Sequence, residues 1–428
     1  MMLRQMTAAV IATATVGLAV AAAQASADGD YIVVLRSNTL NPASVRARLE
    51  HQGGIRPNRH FDLVLPGFAA TLTDAQLQGL QADPAVAYVT PDIPIHADAM
   101  TATAPKELVP PGIRRIGAAT GPLVHGASGT AVAVVDTGLD LSSPDLAAVD
   151  GTNCQAPGTP AQDDNGHGTH IGGTIAGRNT GTGVVGVAPG TRLYAVKVLD
   201  KKASGTLSSL LCGIDWVTQN AQALGIRVVN LSISGTGSDD GDCGLTNQDP
   251  LHTAICRSVA AGVTYVAAAG NDGRDLATVI PAAYPEVLTV TAMSDTDGQP
   301  GGRGPAPACD KKERDDTPWS YSNFATTAAA AAHVVAAPGV CVVSTKLRSG
   351  TTTLSGTSMA TPHVAGAVAL CIDDGGVAGR CGPLNPSGII RRVLGDAADA
   401  ATFSGFPGDP LRPVAGRIYG PLVSAAGY

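Results

Sequence analysis

The chain of 428 residues is predicted to be an α/β protein, a parallel sheet flanked by helices and preceded by a small α+β module. Three observations predict it. Apolar runs rich in β-branched residues, at 132–135, 193–199, 228–233, 263–268 and 287–290, recur through the C-terminal three quarters, and runs without polar alternation suit strands buried on both faces, as parallel strands are. Helical patterns separate these runs. The clearest spans 206–224, where Leu207, Leu210, Leu211, Ile214, Val217, Ala221 and Leu224 fall three or four apart and Gly225 ends the helix. Ahead of them, residues 31–89 read strand, helix, hairpin, helix, strand.

In chain order, residues 1–27 are a secretory signal: Arg4 precedes an alanine-rich apolar stretch at 8–23, and Ala25-Ser26-Ala27 has the small-x-small form of a cleavage site. The competing view, an uncleaved anchor, meets a stretch too short and too weakly apolar to span a bilayer. Residues 28–97 form the small module. A strand at 31–35, a helix at 41–51, strands at 61–65 and 68–72 around Pro66-Gly67, a helix at 74–80 and a strand at 86–89 make the β-α-β-β-α-β order of a ferredoxin-like unit. Residues 98–111, with Pro105, Pro110 and Pro111, read as a linker. Proteolysis concentrates in such segments, and the maturation cut is expected between Ala97 and Lys106. Residues 112–428 form the large α/β domain.

Composition narrows the classes. With 44% hydrophobic and 15% charged residues the chain is neither disordered nor a membrane protein, and 52 glycines against 4% aromatics indicate many tight turns. A net charge of −7 serves solubility and argues against a nucleic-acid partner. Eight cysteines, all beyond the first hundred residues, in a chain that leaves the cytosol imply four disulfides. Spacing alone leaves 105 connectivities open. The absence of C-x-x-C disfavours zinc and thioredoxin-like chemistry.

Three strings carry the chemistry: Val-Val-Asp-Thr-Gly at 134–138, Gly-His-Gly-Thr-His at 166–170 and Ser-Gly-Thr-Ser-Met-Ala at 355–360. A serine hydroxyl attacks a carbonyl only when an imidazole takes its proton and a carboxylate orients that imidazole. Each string has a plainer reading. Asp-Thr-Gly also marks aspartic peptidases, which need a second such tripeptide or a symmetric dimer, and none occurs here. His167 and His170 are three apart, whereas the zincin pattern has a spacing of four and a glutamate where Gly168 stands. Ser358 alone would pass for a helix N-cap.

In this order, aspartate, histidine, serine, the chain resembles the subtilisin-like serine peptidases (subtilase family) with an N-terminal propeptide inhibitor domain. The ending Ala-Tyr-Val-Thr-Pro-Asp at 87–92 is similar to that propeptide. The resemblance implies a secreted endopeptidase, in the medium or a periplasm, that works through an acyl-enzyme and is made as a self-processing zymogen. Asp136 would orient, His167 would act as general base and then acid, Ser358 would be the nucleophile, and His170 would be structural. Asn271 and the Ser358 backbone N–H would hold the oxyanion. Substrate would lie extended between Ala203-Ser204-Gly205 and Ser232-Ile233-Ser234, with Ala268, Ala269 and Gly270 lining the pocket before the cut. Ser234 stands where the family has glycine, which narrows the pocket, and Asp272 at the rim suits a basic residue. Catalysis needs no cofactor. A structural calcium would sit at Asp145 and the loop 178–184, although Thr180 replaces the usual asparagine ligand. Nearness and the resemblance together pair Cys154 with Cys212, Cys243 with Cys256, Cys309 with Cys341 and Cys371 with Cys381. The expected partners are protein or peptide substrates and the chain's own propeptide as intramolecular inhibitor, without nucleic acid or membrane, in a monomer. An esterase or acyl transferase on the same residues, and a catalytically silent binding protein, are the alternatives.

Overall fold

A computed structural model describes residues 29–36, 39, 41–96, 100–102, 108–120 and 123–428. The signal expected at 1–27 and most of the segment assigned to maturation lie outside the described residues. The small module consists of β1 (Gly29–Leu35), α1 (Pro42–Gly53), β2 (Arg59–Phe61), β3 (Gly67–Leu72), α2 (Asp74–Ala82) and β4 (Val86–Pro91), its antiparallel sheet running β2-β3-β1-β4. Local chemistry sets the helix starts. Asn41 accepts from the Ser44 N–H ahead of Pro42, and Thr73 with Gln76 forms a reciprocal capping box. Val33, Leu35, Leu49, Phe68, Leu72 and Leu80 fill one face of the sheet.

The hairpin expected at 61–65 and 68–72 is shifted: β2 ends at Phe61. Beyond it the backbone N–H groups of Leu63 and Val64 both donate to Asp215 Oδ1 at 2.9 Å. A carboxylate on the large domain thus satisfies groups that a local ladder would otherwise need. The other face of the sheet, with Ile32, Val34, Phe61 and Leu65, joins the apolar core of the large domain.

The end of the expected module and the start of the expected linker each form a strand against that domain. Pro94–His96 (β5) pairs antiparallel with Ser204–Thr206, and Met100–Ala102 (β6) pairs antiparallel with Thr351–Ser355. Their partners lie more than a hundred residues away, so no local periodicity announces them.

The large domain is built on β7 (Ala131–Asp136), β8 (Ala147–Asn153), α3 (His167–Ala176), β9 (Arg192–Lys197), β10 (Ser204–Thr206), α4 (Leu207–Leu224), β11 (Ile226–Leu231), α5 (Pro250–Ala260), β12 (Thr264–Ala268), β13 (Val287–Ser294), β14 (Val334–Pro338), β15 (Val342–Thr345), β16 (Thr351–Ser355), α6 (Thr357–Ile372) and α7 (Pro386–Ser404). An eight-stranded sheet runs β8-β9-β7-β11-β12-β13-β14, with Thr317–Pro318 as a short antiparallel addition to β13. All its other pairings are parallel. Val132, Val134, Leu193 and Val266 point to a core shared with α3, α6 and α7, whereas Ala133, Val135, Val196 and Ala267 point to α4 and α5. Burial on both faces is why these strands lack polar alternation. α4 starts at a capping box on Thr206 and stops at Gly225 in the left-handed region.

The four disulfides join Cys154 to Cys212, Cys243 to Cys256, Cys309 to Cys341 and Cys371 to Cys381, the pairs implied above.

Beyond the end of β13, the Arg115 guanidinium is buried among acids, its Nε 2.9 Å from Asp316 Oδ1 and 3.6 Å from Asp295 Oδ1. Burial pushes the Asp295 carboxyl up to about 8, with Asp316, Asp315 and Asp297 adding to the rise and Arg115 opposing it. A carboxyl raised in the folded state stabilises while protonated, and that contribution is lost as pH rises from its ordinary range near 4 through 8. In a Ser358→Ala background, Asp295→Asn should therefore gain on the parent by roughly 2 kcal/mol between pH 6 and pH 9, read as a melting-temperature gap that widens by a few degrees. A gap independent of pH would contradict this account.

Candidate active site

Ligand sites in sheets of this kind form beyond the carboxyl ends of the parallel strands, and β7 ends on Asp136. That residue is fully buried, with Oδ1 accepting the Thr137 N–H at 2.7 Å. His167 opens α3. Its Nδ1 lies 2.8 Å from Asp136 Oδ1 and 3.0 Å from Oδ2, so Nδ1 carries the proton and donates it, and Nε2 is left with the lone pair.

Two glycines permit this approach. A Cβ on Gly168 would stand 2.1 Å from the Gly138 carbonyl oxygen, and one on Gly138, at φ 101°, would stand 2.4 Å from the Ala161 oxygen. Asp163, which the motif analysis did not single out, ties the two turns together. It accepts from the Thr137 hydroxyl, from the backbone N–H groups of Asn165, Gly166 and Thr169, and from the Thr169 hydroxyl. The only sequence signal for it was the Asp-Asp-Asn run just before Gly166. His170 is fully buried, with Nε2 3.0 Å from the Val342 oxygen, and burial lowers its pKa to about 3.

Ser358 is the second residue of α6, a helix buried along its whole length and packed against α3. Its hydroxyl donates to the Ser232 carbonyl at 3.3 Å, and the Ser232 hydroxyl donates to the Ser358 carbonyl at 2.9 Å. Pro362 explains the second bond. Proline has no N–H to offer the carbonyl four residues earlier, and here that carbonyl belongs to Ser358. The oxygen released from the helix ladder is taken up by Ser232, itself held by Asn230 Nδ2 at 2.9 Å.

Asn271 follows β12 and Gly270. Its Oδ1 accepts from the Thr357 N–H at 2.9 Å and from the Thr357 hydroxyl at 2.8 Å, so Nδ2 is the end of the amide left to donate. Asn323, missed in the sequence, shapes the neighbouring wall by donating to the Ala269 oxygen and accepting from the N–H groups of Asp272 and Arg274. Ala268 and Ala269 are buried beside it. Asp272 is not a free rim charge, because Arg274 Nε lies 3.0 Å from it. The β10 edge, Ser204 and Gly205 with Ala203 at φ 56° before it, is taken by β5. Ser232 and Ile233 are buried and Ser234 is half-buried. The chain then runs into Gly235–Thr236, which lies close to β5.

The metal expectations narrow. Asp145 meets the loop 178–184: its backbone oxygen accepts from Arg178, and a Cβ on Gly183 would lie 2.9 Å from its carboxylate. Thr180, however, turns its hydroxyl onto the Thr182 oxygen, so Asp145 stands as the one carboxylate of that loop among the described residues, against the six to eight oxygens calcium takes. Asp295, Asp297 and Asp315 also converge, but backbone N–H groups and Arg115 already occupy Asp295 and Asp315.

A model of the subtilase family matches residues 127–399, and one of the peptidase inhibitor I9 family matches residues 30–98. The chain belongs to the subtilase family. Subtilisin E of Bacillus subtilis (strain 168) is 35% identical over 363 residues, spanning 82% of each chain. The extracellular serine proteinase of Thermus sp. (strain Rt41A) is 36% identical over 372 residues, 80% of each. The crystal structure of a cold adapted subtilisin-like serine proteinase is similar at a TM-score of 0.54 and 26% identity, covering 74% of this chain and 98% of that one. The chain is therefore a subtilase-family serine peptidase with an inhibitor I9 domain at its N-terminal side. Among the described residues no helix is long and apolar enough to cross a membrane.

The interlock predicts contrasting effects of two glycine substitutions in this subtilase. Gly168→Ala drives a methyl into the Gly138 carbonyl and should cost several kcal/mol, whereas Gly395→Ala, with nothing within 4 Å of its Cβ in the exposed face of α7, should stabilise by about 0.5–1 kcal/mol. Urea unfolding in a Ser358→Ala background reads both.

Proposed function

We propose that this subtilase is a secreted endopeptidase acting through Asp136, His167 and Ser358, and that it is made as a zymogen whose N-terminal module occupies its own cleft. The observation that carries the reading is the buried Asp136–His167 pair at 2.8 Å, its histidine on a helix packed against the one that carries Ser358 in its first turn.

In this reading His167 Nε2 takes the hydroxyl proton as Ser358 Oγ bonds to the substrate carbonyl carbon. Asp136 accepts from Nδ1 throughout, which holds the tautomer and stabilises the imidazolium. The carbonyl oxygen becomes an oxyanion, met by the Ser358 N–H at the α6 N-terminus and by Asn271 Nδ2. Collapse breaks the C–N bond, and His167 gives its proton to the departing amine. Water then repeats the sequence on the acyl-enzyme. No cofactor enters.

Extended chain pairing on β10 and β16 supports a peptide substrate over a small ester, since strand edges recognise polypeptide backbone. The same pairing supports self-inhibition. Asp92, whose carboxyl burial raises, accepts the Ser208 N–H at 2.7 Å at the start of α4, and Ile93 accepts the Leu207 N–H. With β5 on one edge and β6 on another, the bond cut in maturation falls between His96 and Met100, near the start of the interval expected from sequence. The extracellular Thermus relative supports secretion.

Ser358→Ala should abolish casein hydrolysis and labelling by a serine-directed phosphonate while leaving the module attached. Asn271→Ala should lower kcat by roughly 10²- to 10³-fold with little change in KM, the range known for such a donor in a subtilisin. N-terminal sequencing of active enzyme should find its first residue between 97 and 100, and a start beyond Ala102 would refute the register.

A further inference from the structure

Beside His167 lies a cleft of about 640 Å³ whose lining includes Asp164, Lys202, Lys346, Arg348 and Leu354. Its charge runs against that of the whole chain, which carries a net −7. The acids near it are engaged. Asp164 Oδ1 is 2.7 Å from the Lys197 ammonium, and Asp200 accepts the backbone N–H groups of Lys202 and Ser204. Among the described residues none of Lys202, Lys346 and Arg348 has a carboxylate within ion-pair distance. Three cations therefore border the groove without a direct ion pair, although the Lys202 charge also acts on Asp200.

The loop bearing two of them is held in place. β15 and β16 pair up to Thr345 and Thr351, Lys346 N–H donates to the Gly350 oxygen, and Arg348 N–H donates to Asp140 Oδ2 at 2.8 Å. Arg348 sits at φ 77°, a conformation that glycine adopts freely and that costs other residues of order 1 kcal/mol. Glycine would meet the same backbone hydrogen bond without that cost, which directs attention to the arginine side chain.

β5 leaves the β10 edge, which Lys202 and Ala203 precede, and β6 arrives on β16, whose hairpin carries Lys346 and Arg348. In sequence, the three residues between β5 and β6 are Ala97-Asp98-Ala99, whose one ionisable side chain is a carboxylate.

We propose that Lys202, Lys346 and Arg348 make this subtilase selective for polypeptides with acidic side chains within two residues of the cut bond. The inference rests on the peptidase reading above and adds the class of sequence that reading leaves open. Opposite charges attract across the groove, and because the groove is open to water the attraction is moderate and falls with salt.

The test uses mature enzyme and fluorogenic peptides alike except for Asp, Asn or Lys at each of the two positions on either side of the scissile bond. At low salt the Asp peptide is expected to exceed the Asn peptide by roughly tenfold in kcat/KM at one position or more, mostly through KM, with Lys lowest. The ranking should compress at 1 M salt. Lys202→Glu and the Lys346→Glu/Arg348→Glu pair should each weaken or reverse it. Arg348→Gly relieves the backbone, so it retains the fold and should still diminish the preference. Equal cleavage of Asp and Asn peptides at low salt, or an unchanged ranking in all of these variants, overturns the proposal. Failure of the enzyme to cut neutral peptides or to label with phosphonate would instead overturn the peptidase reading beneath it.

Discussion

The structure depends on one close approach: the end of β7 against the beginning of α3. Gly168 can lie on the Gly138 carbonyl only because neither glycine carries a side chain, and that contact brings the His167 ring within hydrogen-bonding distance of a carboxylate with no solvent exposure. A buried carboxylate is costly unless hydrogen bonds and a partner compensate it. Asp136 has the Thr137 N–H and the imidazole, and Asp163 fastens both turns through five donors. Ordering is thus complete before any ligand arrives.

The serine is set by a different device. α6 is apolar and buried on every side, so its position is dictated by packing between the sheet, α3 and α7. Pro362 interrupts the ladder one turn in, and Ser232 takes up the freed Ser358 carbonyl, so the helix start is tied sideways to the chain following β11. Thr357 forms the matching tie to Asn271. The ends of β7, β11 and β12 and the starts of α3 and α6 are thereby joined by hydrogen bonds that bypass the sheet ladder.

Legibility in the sequence followed the range of the interactions. Parallel strands and α4 were visible because burial on both faces, apolar residues three or four apart and a terminal glycine each leave local patterns. β8, at the sheet edge with a half-exposed polar sequence, and β14, a short alanine-containing run, carry no such pattern. Asp136, His167, Ser358 and Asn271 stood in motifs. Asp163, Asn230 and Asn323 did not, because a polar residue that serves backbone groups from distant segments looks in sequence like any loop residue. The hairpin drawn to residue 65 failed for the same reason: the acceptor that ended β2 was Asp215, about 150 positions away in the chain. β5 and β6, at the end of the expected module and in the expected linker, went unread as strands, since their partners belong to another domain.

Those two strands have a consequence in terms of concentration. While one continuous backbone joins them, each holds the other at its edge, and dilution has no effect on occupancy. Once the backbone between them is severed, each tether must persist on its own affinity, and the module becomes an ordinary solute that can be washed away or digested. In the zymogen proposed above, a single hydrolysis would convert an inhibitor that cannot leave into one whose hold depends on how much of it is present.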